Sequence, residues 1–240
     1  MTIAKETNLA QELSEDVIFP PGDLFSDDPP LESQLHLKQI ILLLTCLEWL
    51  WRDRDDFYAT GNMTIYYSQD KIKNRDFRGP DFFVVLDTNQ RVRKSWMLWE
   101  EEGKYPNFIL EILSDSTAKI DRGLKKEFYQ NTFRTPDYFW FDTYTLELAG
   151  FHLVDGKYQP LEANDKGHLW SEQLGLYLGI NERLLRYFTI EGELVATPEE
   201  VAESERQQKE IAQQEATELQ QKAERLAAKL RELNIDPETI

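Results

Sequence analysis

Apolar residues cover much of the circumference of a helix-length stretch that opens at Glu32 and reads SQLHLKQIILLLTCLEWLW, which predicts a long buried helix. Its most apolar part, residues 40–51, includes Thr45 and Glu48 and runs into Arg-Asp-Arg-Asp, well short of the ~20 residues a membrane span needs. Beyond it the period shortens to that of strands. Residues 57–68 are β-branched and aromatic, broken by Gly61-Asn62, and predict one or two strands. Residues 82–87, apolar up to Asp87, and 108–113, apolar apart from Glu111, predict two more. A helix is expected over 119–131, then an aromatic strand over 138–142. From there Leu-Glu-Leu-Ala-Gly-Phe-His-Leu-Val-Asp-Gly-Lys-Tyr alternates around Asp155-Gly156, a two-residue hairpin signal. Short apolar pieces over 170–195 predict a β-meander packed on the main sheet.

The two ends differ from this middle. Residues 1–30 are acidic and Pro-rich with no periodic apolar face, and read as an extended arm. Thr197-Pro198-Glu-Glu starts a helix, with Pro in the first turn and acids well placed against the helix dipole. Within that tail, residues 197–240, Ala212, Ala216, Leu219, Ala223, Leu226, Leu230 and Leu233 keep the four-three spacing of a heptad seam. About half the seam is Ala, so a homodimer through this helix and a solvated lone helix stand as equal alternatives. The globular domain is expected over 31–196.

With 240 residues the chain can bury one good-sized core. Its single cysteine, Cys46, excludes a disulfide framework and a cysteine-rich zinc site. The polar start, Met-Thr-Ile-Ala-Lys-Glu-Thr, has no signal-peptide core, so the expected compartment is the cytoplasm, with no membrane partner. A formal charge of −17 argues against a protein that simply coats nucleic acid. Residues 199–240 carry eleven acids and six bases, which leaves −12 on residues 1–198, so the acidity belongs to the body. A polyanion would have to be met by a local basic patch or by cations held on carboxylates. Arg91, Arg93 and Lys94, with Lys71, Lys73, Arg75 and Arg78, form the main basic cluster and flank Asp81 in sequence.

Asp81 follows Gly79-Pro80 and leads an apolar strand, and Glu111 lies inside another, with Ile109 and Leu113 on its own face. A carboxylate in such a run costs several kcal/mol unless it is paired, hydrogen-bonded or metal-bound. Together the two acids suggest a divalent-metal site. On the next helix Asp121, Lys125 and Tyr129 recur at four-residue spacing and share a stripe, so a helix returning over the sheet could bring Lys125 to both acids. Plainer roles stand beside these. Asp81 could pair with Arg75 or Arg78, Glu111 could be a satisfied buried acid, and Asp121 with Lys125 could be an ordinary i,i+4 pair. Ser114, Ser116 and Thr117 fit a helix N-cap better than a nucleophile. His36, His152 and His168 lack any metal-ligand spacing. The tryptophans read as packing, with only the pair at Trp96 and Trp99 a candidate base-stacking surface.

Four segments in order carry a family likeness: Gly79-Pro80-Asp81, the strand Leu110-Glu111-Ile112-Leu113 running into Ser114-Asp115-Ser116-Thr117, Asp121-x-x-x-Lys125-x-x-x-Tyr129, and Asp137-Tyr138-Phe139-Trp140-Phe141-Asp142. This resembles the PD-(D/E)XK nuclease superfamily and, more closely, the bacterial Uma-type restriction endonuclease family, over about residues 30–195. The superfamily's strand lysine, two residues after Glu, is replaced here by Leu113, and the resemblance shifts that role to Lys125. It implies an α/β (α+β) restriction-endonuclease-like fold, with a mixed central sheet flanked by helices. It implies Mg²⁺- or Mn²⁺-dependent phosphodiester hydrolysis of DNA, with Asp81 and Glu111 as metal ligands and Lys125 catalytic. Asp121 and Tyr129 would support them, and Glu32 would be a further metal-binding acid from the first helix. The alternatives are an inactive nuclease-fold interaction protein assembling through its C-terminal helix, and hydrolysis of another phosphate ester.

Overall fold

The computed structural model describes residues 33–67, 79–113 and 121–232. The predicted arm, Glu32, the basic residues Lys71, Lys73, Arg75 and Arg78, and the Ser114–Thr117 cap lie outside the described residues.

A six-stranded sheet forms the centre, in the order β1-β3-β5-β6-β7-β8, with β1 (Phe57–Gly61), β3 (Phe82–Leu86), β5 (Phe108–Leu113), β6 (Asp137–Asp142), β7 (Leu148–Val154) and β8 (Lys157–Pro160). β5 and β6 run parallel and every other pair is antiparallel, so the sheet is mixed, as expected. A parallel pair needs a long crossover, and this one carries the helical segment α2, residues 121–133, a short α-turn with π-helical turns on either side. The hairpin at Asp155-Gly156 joins β7 to β8, and both turn residues are left-handed, at φ 49° and 79°, as its Asp-Gly sequence requires. Gly61-Asn62 also breaks the chain, but into strands of different sheets: β2 (Ile65–Tyr66) pairs in parallel with β4 (Trp96–Met97).

Side-chain alternation divides the core into two layers. On one face Phe82, Val84, Phe108, Leu110, Ile112, Phe139 and Phe141 pack under α1 (Gln34–Leu50) and a second antiparallel sheet. That sheet, β9 (Leu169–Ser171), β10 (Leu176–Asn181) and β11 (Leu184–Phe188), is the predicted meander. On the other face Phe83, Val85, Ile109, Leu113, Tyr138 and Trp140 pack against Tyr129 and Phe133 of α2 and against Trp96. Trp96 is wholly buried, its indole N–H donating to the Lys104 carbonyl at 2.8 Å, so it is a core residue and no base-stacking surface.

The first helix is buried on one side only. Ser33 caps it through the His36 N–H, and His36, Gln39, Ile40, Leu43, Cys46 and Leu47 face inward, while Leu35, Leu37, Ile41 and Trp49 remain exposed. The expected long buried helix is buried along one stripe only: α1 lies over β1 and β11, and a helix laid on a sheet covers one stripe. At the far end α3 (Pro198–Glu232) begins with a reciprocal box, in which the Glu200 N–H donates to Thr197 Oγ1 and the Thr197 N–H to the Glu200 carboxylate. The Arg186 guanidinium grips the same carboxylate at 2.9 and 2.6 Å, fastening the helix to β11. None of its described side chains is buried.

Gly61, at the end of β1, lies against both α1 and the residue that leads into β3. A Cβ there would collide with Ile40 Cγ2 and press on the Asp81 carbonyl. We expect Gly61→Ala to destabilise the fold by about 1–3 kcal/mol through overpacking, read from urea unfolding midpoints. A loss under about 0.5 kcal/mol would show that α1 can shift freely against the sheet.

Candidate active site

The register of the antiparallel pair β3–β5 sets Phe82 opposite Leu110, so one step further it sets Asp81 opposite Glu111, with both side chains toward the α2 layer. Contacts tie the two together. The Asp81 N–H lies 3.4 Å from Glu111 Oε2, and the Ile112 N–H donates to Asp81 Oδ2 at 2.7 Å. Glu111 is completely buried in mid-strand. Lys125 Nζ reaches its Oε2 at 2.9 Å, and the Tyr129 hydroxyl donates to its Oε1 at 2.7 Å. Lys125 also meets Asp121 Oδ1 at 2.8 Å, and the Tyr138 hydroxyl donates to the Asp121 carbonyl at 2.8 Å, pinning the first turn of α2 to β6.

Asp81, Glu111, Asp121, Lys125 and Tyr129 are therefore brought together at one end of the sheet. Pairing of Asp81 with Arg75 or Arg78 falls outside the described residues, as does Glu32. The residue that sequence reasoning missed is His36: its Nε2 lies 3.1 Å from Asp81 Oδ1. It approaches from α1, across the sheet end from Lys125. Its position on the inward stripe with Gln39, Ile40 and Leu43 was the available signal, but a search for paired-histidine spacing passes over a lone histidine.

Three carboxylates face one ammonium here. Burial pushes the Glu111 carboxyl well above the usual range; the Lys125 charge pulls it back, and the neighbouring Asp81 and Asp121 push it up again. Burial presses the Lys125 ammonium downward, but Glu111, Asp121 and Asp81 outweigh it and hold the lysine charged far above neutrality. Burial, reinforced by Glu111, likewise raises Tyr129, which stays a hydroxyl and a donor. The site is crowded with buried negative charge, the condition a divalent cation relieves. Asp81 and Glu111 offer hard oxygen donors suited to such an ion, although among the described residues no three His, Cys, Asp or Glu side chains form a ready-made metal cage. A cavity of about 550 Å³ lined by Asp55, Asp87, Arg91 and Glu101 includes none of these residues.

The basic cluster behaves differently from its sequence reading. Arg91 and Arg93 both bind Glu101 at 2.7 Å, and Arg93 is only 3% exposed and lies over Tyr58 and Trp96. Burial alone would raise Glu101, but the two guanidiniums reverse that and hold it low. Arg93 buttresses the fold and is not free to meet phosphates, whereas the Arg91 side chain is about half exposed.

A mixed sheet that gathers two acids from neighbouring strands and a lysine from the following helix defines an α+β protein of the restriction-endonuclease-like class. The chain belongs to the Uma2 family, described as putative restriction endonucleases, whose sequence model matches residues 9–185. Among solved structures the chain is similar to a putative nuclease of the DUF820 family from Anabaena variabilis ATCC 29413, at 8% identity and a TM-score of 0.43, over 61% of this chain and 76% of that one. No curated protein matches it. No described helix is long and apolar enough to cross a membrane.

Two outcomes follow from this geometry. Tyr129→Phe leaves a buried Glu111 oxygen short of its donor and is expected to lower stability by about 1–3 kcal/mol, measured by denaturant unfolding. Because folding raises the Glu111 pKa, the stability linked to its proton is present at low pH and is lost as pH rises from the ordinary glutamate range toward the folded value. In chelator, Glu111→Gln should therefore gain melting temperature relative to wild type on going from about pH 5 to pH 8. A difference that stays constant or shrinks would overturn the assignment.

Proposed function

We propose that this protein hydrolyses phosphodiester bonds of DNA with Mg²⁺ or Mn²⁺ as cofactor. The observation that carries the proposal is the convergence of Asp81, Glu111 and Lys125 where β3, β5 and α2 meet. Water adds across one P–O bond, giving a phosphate monoester and a free hydroxyl. A bound divalent ion would lower the pKa of its water and offset charge on the phosphate.

The remaining work falls to the chain's own groups. Asp81 and Glu111 supply the carboxylate oxygens that hold the ion, and the Ile112 N–H keeps Asp81 turned toward β5. Lys125, one-fifth exposed, presents a permanent cation at the mouth of the site, suited to orienting the attacking water or stabilising the charge that develops on the phosphate. Asp121 holds Lys125, and Tyr129 fixes the rotation of the Glu111 carboxylate; both are positioning residues. A second reading, a non-hydrolytic scaffold, draws support from the buried Leu113 at the superfamily's lysine position and from the long exposed α3.

Calorimetric titration with Mn²⁺ and Mg²⁺, paired with cleavage of plasmid DNA, separates the two. We expect wild type to bind, and Asp81→Asn and Glu111→Gln to lose binding and cleavage while remaining folded by circular dichroism. A fully active Asp81→Asn would sink the assignment, and a wild type that binds neither ion would favour the scaffold.

A further inference from the structure

We propose that His36 is a nitrogen ligand to the same divalent ion, entering from α1 on the side of Asp81 opposite Lys125; this rests on the metal-site reading above. The His36 side chain is 91% buried and its Nε2 has no hydrogen-bond partner among the described residues, although Asp81 Oδ1 is only 3.1 Å away. The contact is short but not aligned for donation from the ring. A buried nitrogen without a partner is costly, and a nitrogen lone pair set against a carboxylate oxygen at that distance is repulsive unless a positive centre joins them. A metal ion bound by both atoms removes both costs.

The placement is built by the fold rather than by chance on the surface. Ser33 caps α1 at the His36 N–H, and Gln39, one turn on, exchanges two hydrogen bonds with the Leu185 backbone, Nε2 donating to its carbonyl at 2.9 Å and its N–H donating to Oε1 at 3.0 Å. The rotation of α1 is thereby fixed with His36 toward β3. Asp81, at the strand's very start, is reached from both layers: Glu111 approaches from the α2 side and His36 from the α1 side. As they stand no three His, Cys, Asp or Glu side chains among the described residues form a ready-made cage, so the ion's sphere would be completed by water and phosphate oxygens, as is usual for Mg²⁺ and Mn²⁺. Imidazole shifts preference toward transition ions, so the site is expected to favour Mn²⁺ over Mg²⁺.

Pulsed electron paramagnetic resonance on the full-length protein with one equivalent of Mn²⁺ reads the ligand directly. Wild type is expected to show ¹⁴N modulation from a coordinated imidazole, and His36→Gln to lose it. Calorimetry should show Mn²⁺ affinity falling about tenfold or more in His36→Gln, with a smaller loss for Mg²⁺. Mn²⁺ bound by wild type, released by Asp81→Asn, but without nitrogen modulation would overturn the histidine ligand and leave the proposed function standing. Mn²⁺ binding indifferent to Asp81→Asn, or no binding at all, would overturn both. The wild-type spectrum decides the point even if His36→Gln fails to fold.

Discussion

The burial of Glu111 governs the arrangement around it. Mid-strand, with Ile109 and Leu113 beside it on one face, its carboxyl is completely buried, and an unmatched charge there would cost more than a domain of this size can spare. The match comes from α2. Lys125 and Tyr129 each take one oxygen, and because they lie four residues apart they set both the rotation and the height of the helix over the sheet. The aromatic packing of Tyr129 with Phe133 and Tyr138 then fills the space around that contact. Removing one partner of such a pair typically costs about 3–5 kcal/mol, since the other is left buried and uncompensated.

A second buried acid on the same sheet shows what a purely structural carboxylate looks like. Asp137, at the start of β6, takes the Ser171 hydroxyl at 2.6 Å and the Gln173 N–H at 3.0 Å on one oxygen, and His152 Nδ1 at 2.6 Å on the other. Its hydrogen bonds run to neighbouring elements and stitch the small sheet to the large one. Glu111 is also hydrogen-bonded, yet it sits among two further acids, an arrangement that stability alone disfavours. Accumulated like charge, rather than burial alone, separates a candidate reactive carboxylate from a structural one.

Much of this was legible in the sequence, for identifiable reasons. Strand β5 reads without error at Phe108–Leu113 because a short run that is apolar apart from Glu111, set between Asn107 and a polar segment, has few alternatives. The Asp121, Lys125, Tyr129 stripe needed only the spacing of residues on a helix. Asp155-Gly156 declared its turn because both residues accept left-handed backbone. What could not be read was which elements meet. The exposed half of α1 was invisible because Leu35 and Ile41 resemble core residues in any pattern. Arg93 looked like a surface cation because nothing local announces that Tyr58, Trp96 and Glu101 will enclose it. His36 was passed over because its partner, Asp81, is forty-five positions away, and pairing across that distance is decided by the packing of α1.

The enclosure of Arg93 bears on how a chain of net charge −17 could engage a polyanion. Arg91 and Arg93 are paired with Glu101, and Lys125 is shared between Glu111 and Asp121, so these three cations already have acidic partners. On the proposed reading, phosphate and carboxylates would then repel each other across the site unless a divalent ion lay between them. Ion and nucleic acid would each raise the affinity for the other by the same factor, since coupling free energies are reciprocal. Surface acidity would then suppress nonspecific binding, which depends on lysine and arginine meeting phosphates, and leave recognition to the geometry at Asp81 and Glu111.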